Sequence, residues 1–184
     1  MKQIAKTRRL TLDALLISLA LVLSLVERWI PLELIIPVPG IKLGLANIVT
    51  LFAVLRLRPG EAVLIVVTRS LILGVISGPT TLMFSLSGGL LAFFFMWLLS
   101  HWHERSMTTI GISVCGAAAH NIGQVAMAGL VLEEPLLLMT YLPPLLLTGL
   151  ATGTLTGLSA YPVIKRFAIA QDIGGQIKVT EDKA

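Results

Sequence analysis

The chain has 184 residues, 55% of them hydrophobic and 13% charged, with a formal net charge of +4 and a mean hydropathy of +0.89. That balance excludes a soluble globular domain, and the basic residues cluster at the ends of apolar runs, where they read as topology signals rather than as a nucleic-acid surface. The hydrophobicity comes in long blocks without alternation, and aromatic residues make up only 6%, which favours membrane helices over a β-barrel.

A first helix is predicted from about Leu10 to Ile30, preceded by Lys2, Lys6, Arg8 and Arg9 and ended by Glu27, Arg28, Trp29 and Pro31. Its apolar run is about 20 residues long and no small-residue cleavage site follows, so a retained helix is expected and not a removed signal peptide. A loop from Pro31 to Pro39 leads into a second apolar segment, about Gly40 to Leu57, closed by Arg56, Arg58, Pro59 and Gly60. The third segment extends from Glu61 to Ile76 and breaks at Ser77, Gly78 and Pro79. The fourth, about Leu82 to Leu99, ends in His101, Trp102, His103, Glu104 and Arg105, and the fifth covers Thr109 to Leu132 before Glu133, Glu134 and Pro135. The last begins between Pro135 and Pro144, runs to Val163 and meets Lys165 and Arg166 ahead of a polar tail.

These segments predict an all-α integral membrane protein of six transmembrane helices, one domain over residues 1–167, with a polar cytoplasmic tail over 168–184. Placing both termini in the cytoplasm puts eleven of the 14 Lys and Arg residues on that side, leaves Arg28 and Lys42 outside, and leaves Arg69 within a span. This is the distribution expected of the positive-inside rule.

Several features carry candidate chemistry. From Pro37 to Phe52 a proline-broken loop turns into an apolar helix, bringing Lys42, two glycines and Asn47 against a membrane-grade run. Irregular backbone at membrane depth must be covered by protein or line a wet cavity, so this stretch is a candidate binding loop. Arg69 falls midway along the third segment, where a lone charge costs about 2.5 to 3.5 kcal/mol or more. Either it pairs with Asp13, Glu61 or helix carbonyls, or its guanidinium, or Lys42, meets an anionic group on a substrate. His120 and Gln124 share a helix face with Asn121 beside it, and these three either bridge helices or line a binding site. Gly149, Gly153 and Gly157 recur every four residues, a spacing that lets helices approach closely, within the bundle or against a partner. Ala14 and Ser18 form a weaker small-residue face on the first helix.

Some chemistry is missing from the chain. There is no phosphate-binding G-x-x-x-x-G-K-[ST] loop and no aspartate-rich motif of the kind that holds Mg²⁺ for diphosphate transfer. Cys115 is the single cysteine, which excludes an internal disulfide or thiolate cluster, and no second ligand stands near His120 at metal spacing. No catalytic residue, cofactor or metal is therefore expected, and the chain is not expected to be an enzyme on its own. His101 and His103 read as interfacial.

Residues 39–51, Pro-Gly-Ile-Lys-Leu-Gly-Leu-Ala-Asn-Ile-Val-Thr-Leu, resemble the signature of the Gx transporter family, whose older label is heptaprenyl diphosphate synthase component I. The similarity extends over about residues 8–167 and includes Ser77-Gly78-Pro79-Thr80 and the segment from Ser85 to the glycine pair ending at Gly89. The family in turn resembles the substrate-binding S components of energy-coupling factor transporters. The resemblance implies a six-helix S-component fold in a bacterial plasma membrane. It would capture a small vitamin-like, flavin- or quinone-related molecule, with Lys42, Asn47, Arg69, Thr80, Ser85, His120, Asn121 and Gln124 as contacts. A separate membrane subunit and two ATPases would supply energy, docking on small residues of the first helix, here Ala14 and Ser18. The alternative it implies is a membrane accessory component of a polyprenyl diphosphate synthase, of a quinone pathway or of a membrane redox assembly.

Overall fold

The computed structural model describes residues 2–29, 44–103, 105–134 and 136–181. The described residues form six helices and no strand: α1 Lys2–Arg28, α2 Asn47–Arg56, α3 Pro59–Ser77, α4 Pro79–Ser100, α5 Thr109–Val131 and α6 Leu136–Glu181. Five are long and apolar enough to cross a bilayer, over Arg9–Glu27, Pro59–Ser77, Pro79–Ser100, Thr109–Val131 and Leu138–Ile169. The helix ends follow local chemistry. Pro59 opens α3 while the Glu61 carboxylate accepts the Arg58 backbone N–H at 3.0 Å. Gly78, at φ +95°, joins α3 to Pro79 at the start of α4, a conformation that glycine adopts without steric cost. Thr108 caps α5 by accepting the Gly111 N–H at 3.0 Å.

Two boundaries differ from the sequence reading. The second segment was expected from Gly40, but α2 begins at Asn47 and has 10 residues, about 15 Å of helix at 1.5 Å per residue. That is about half the hydrocarbon thickness; the turn at residues 44–46 has the same hydropathy as the helix it enters, and residues 40–43 lie outside the described residues. At the other end α6 continues as helix to Glu181 through the region read as a polar tail. Pro143, Pro144 and Pro162 lie inside α6; each removes one backbone hydrogen bond, which bundle neighbours make tolerable in a membrane helix.

The short helix is the centre of the bundle. Helix α2 touches each of the other five, and Val49, Thr50, Leu51, Phe52, Ala53 and Val54 along it are all buried. Around them Leu16, Ile65, Met96, Ile112 and Ile164 close the core. Glycines set the spacing of α4, α5 and α6. A Cβ on Gly123 would lie 2.8 Å from the Ser87 carbonyl oxygen, one on Gly153 2.7 Å from the Val114 Cα, and one on Gly157 2.9 Å from the Ile110 Cα. The backbones therefore touch along these seams, where van der Waals packing supplies the attraction, and Ser113 and Thr156 add a hydroxyl hydrogen bond of 2.7 Å. Outward, α1 shows Leu15, Leu19, Val22 and Val26, α4 shows Phe94 and Phe95, and α6 shows Leu147, Leu150 and Leu155. An apolar exterior on this scale is stable in lipid and not in water.

Candidate functional site

Beyond the N-terminal end of α2 the helices leave a polar cavity of about 30 Å³. Ser24 and Glu27 come from α1, Ala46 and Asn47 from the start of α2, Arg69 and Leu73 from α3, Thr81 and Ser85 from α4, and His120 and Gln124 from α5. Its volume suits one or two waters, far less than the roughly 300 Å³ of an ordinary ligand pocket.

Each wall is held by an identifiable contact. The Glu27 carboxylate accepts the backbone N–H of Gly44, fixing the turn into α2 against the end of α1. Gly44 has φ +72°, and a Cβ there would lie 3.0 Å from Asn47 Nδ2, so this tie needs glycine for both conformation and room. Arg69 reaches across from α3 and donates from Nη1 to Ser24 Oγ at 3.5 Å, a long contact. Glu27 is the charged group acting on it. Ser70 and Ser85 pair through their hydroxyls at 3.0 Å and tie α3 to α4.

The adjacent glycines of α4 make the enclosure possible. A Cβ on Gly89 would meet Val66 Cγ1 at 2.9 Å and Arg69 Nη2 at 3.2 Å, and one on Gly88 would meet Gln124 Cγ at 2.8 Å and the His120 carbonyl at 2.9 Å. Helix α4 thus passes between the guanidinium on one side and α5 on the other with nothing but backbone in the gap.

Four buried polar atoms around this cavity have no hydrogen-bond partner among the described residues: Asn47 Oδ1, Arg69 Nε, Arg69 Nη2 and Gln124 Oε1. Their residues are 2%, 4% and 7% exposed. An unsatisfied buried donor or acceptor costs about 1–3 kcal/mol, more when charged. Such a cluster is atypical of a structure selected for stability alone. It offers two cationic donors and two amide-type acceptors to a polar guest.

Of the residues nominated from sequence, Asn47, Arg69, Ser85, His120 and Gln124 line the cavity. Asn121 does not: its amide donates to the Leu145 carbonyl at 2.7 Å, and Gly149 makes room for it, since a Cβ there would lie 2.8 Å from Asn121 Nδ2. Thr80 is exposed in the first turn of α4, and its neighbour Thr81 lines the cavity instead. Lys42, with the rest of residues 30–43, lies outside the described residues. Ala14 and Ser18 are exposed on α1, Ser18 Oγ donating to the Ala14 carbonyl at 2.8 Å. Gly149, Gly153 and Gly157 all face α5. The sequence offers Asp13 or Glu61 as partners of Arg69; Asp13 instead lies within the field of Glu61 and Arg9, and Arg69 bonds Ser24 with Glu27 as the nearby charge. From the sequence Glu27 reads only as the boundary of a span and Ser24 only as a small residue for packing, although their i, i+3 spacing puts both on one face.

The comparisons add one positive result. The profile of the family described as heptaprenyl diphosphate synthase component I matches residues 16–163. Comparisons with curated proteins and with solved structures gave no match. The matched stretch contains every residue of the cavity wall, from Ser24 to Gln124, and covers most of the chain. By that match this bundle, with its enclosed arginine and its short central helix, belongs to the heptaprenyl diphosphate synthase component I family.

Proposed function

We propose that the chain is a non-enzymatic, substrate-binding membrane subunit, of S-component type, for uptake of a small vitamin-like molecule related to flavins or quinones. The observation that carries this reading is the cluster of unpartnered buried atoms on Asn47, Arg69 and Gln124 around one cavity. A guest with carbonyl or anionic oxygens would accept from the Arg69 guanidinium, and its N–H or O–H groups would donate to the two amide oxygens. Ser85 and Thr81 supply hydroxyls that serve either role. Because the cavity holds about 30 Å³, admission of such a molecule requires the walls to part. The Glu27–Gly44 hydrogen bond is the tie that opening must break or carry along.

In this reading the protein sits in the cell membrane and energy comes from a separate membrane subunit with two ATPases. The exposed small-residue face at Ala14 and Ser18 on α1 is the docking position. The test is to extract the protein in mild detergent and identify co-purified small molecules by mass spectrometry, beside an Arg69→Met variant. A vitamin-, flavin- or quinone-like compound present with the parent and absent from the variant supports the proposal; a parent that binds none sinks it.

The family description favours a second reading, a membrane accessory component of a polyprenyl diphosphate synthase. Stoichiometric co-purification of a soluble synthase that loses activity without this chain would select it over transport.

A further inference from the structure

A second and larger opening lies at the other end of the bundle, and neither the uptake nor the synthase reading uses it. Where the end of α2, the α4–α5 turn and the outer part of α6 meet, they enclose an open groove of about 580 Å³. Arg56, Arg105 and Lys165 converge on it from three separate elements, and no carboxylate is among its described lining residues. Arg56 Nε is buried there without a hydrogen-bond partner. Ser106, Thr108 and Thr109 add hydroxyls at the start of α5. The groove is also lined by apolar surface, from Tyr161, Ile164 and Ile169 along α6 and from Met107 in the turn.

We infer that this groove holds the phosphate headgroup of an anionic membrane lipid, with the three cations around the phosphate and the lipid's glycerol and upper acyl carbons along the α6 wall. The charge balance is the first argument: three cations with no described counter-charge in one concavity repel one another, and a phosphate relieves this with charge-assisted hydrogen bonds. The depth is the second. Trp102 and Tyr161, both about half exposed at this end, are residues that settle at the headgroup level of a bilayer. The third is the shape of the site, because a free anion would leave the Tyr161–Ile164 wall wet, whereas an amphiphile covers it. Along α6 the apolar surface continues through exposed Leu158 and Leu155, a track for the chain of a lipid seated in the groove.

The test uses the whole chain in bilayer nanodiscs containing equal phosphatidylglycerol and phosphatidylcholine, released into native mass spectrometry to count retained lipids. The expected result is selective retention of phosphatidylglycerol, falling by about fivefold for each of Arg105→Gln and Lys165→Gln, as loss of one cation near an anionic headgroup implies. Arg58→Gln, which removes an exposed charge at the same end but outside the groove, should leave the selectivity unchanged. Equal retention of both lipids, or an equal fall for Arg58→Gln, overturns the inference in favour of undirected surface charge. Displacement of the lipid by millimolar inorganic phosphate also overturns it, in favour of a site for a soluble anion. Lys165→Gln, at an exposed position, decides the question if Arg105→Gln does not fold: undiminished phosphatidylglycerol retention in it overturns the inference.

Discussion

At one end of the bundle Arg69 is enclosed with a carboxylate, two amides and three hydroxyls around a cavity of about 30 Å³. At the other, Arg56, Arg105 and Lys165 surround an open groove of about 580 Å³ with no described acid in its lining. The same side-chain chemistry thereby sits in two different electrostatic settings. A cation buried among helices acts over short distances at low effective dielectric and discriminates between guests by geometry. Cations at an open rim act through a field that salt screens. Lipid retention at the groove should therefore fall as salt rises from 0.1 M to 1 M, where the Debye length shrinks from about 10 Å to about 3 Å. Binding in the cavity should hardly change over that range, and equal salt dependence at both sites would erase the contrast.

The strongest test of the enclosed end is Glu27→Ala. It leaves the Gly44 N–H without its acceptor and removes the carboxylate whose charge acts on Arg69, and we expect a loss of about 2–3 kcal/mol, the upper range for orphaning a buried group bonded to a charge. Thermal unfolding in detergent measures it, and a loss no greater than that of a surface variant would show that Glu27 is not part of the structure's support. Combining Glu27→Gln with Arg69→Met should recover most of the stability while leaving the cavity unable to bind.

Next comes Arg69→Met alone, which should weaken ligand retention by at least about tenfold, the equivalent of one charge-assisted hydrogen bond of 1.5–3 kcal/mol. Quantitative mass spectrometry of the co-purified compound reads this directly, and undiminished retention would remove Arg69 from the binding site. Asn121→Ala should cost about 0.5–1.5 kcal/mol through the lost hydrogen bond to the Leu145 carbonyl, which keeps the Thr148 hydroxyl as a donor, and leave ligand retention untouched. A loss of ligand at unchanged stability would put Asn121 back among the contacts. The smallest effect is expected at Thr80→Ala, within about 0.5 kcal/mol in stability and without effect on binding, whereas Thr81→Ala should lower retention.

Much of the architecture is legible in the sequence because a bilayer simplifies the problem: long apolar runs must be helical, and polar residues inside them must face protein. Arg69, His120 and Gln124 stand out on that ground. Direction is what the pattern lacks. Asn121 adjoins His120 in sequence, yet the turn of the helix points it at α6, and nothing in the spacing reveals which of the two neighbours sits in front of its amide. Glu27 is hidden for another reason, since acids at span ends are common and its role depends on Gly44, 17 residues further along. The length of α2 is equally hidden, because apolar chain entering a helix and the helix itself have the same hydropathy.

The glycines of α4, α5 and α6 bear on mechanics as well as packing. Where backbones touch, as at Gly88, Gly123 and Gly153, there is no side-chain layer to shear or repack, so these three helices should behave as one stiff slab. Helix α1 has no comparable seam: most of its described side chains are exposed or half-buried, and it holds the cavity through Ser24 and Glu27. We therefore expect the free energy of opening to be concentrated on the α1 side, with guest entry tilting α1 against a fixed wall. Hydrogen exchange should then show fast amides around Ser24 to Glu27 that slow when a guest binds, while those of α5 stay protected throughout; uniform exchange across α1 and α5 would exclude this division of labour.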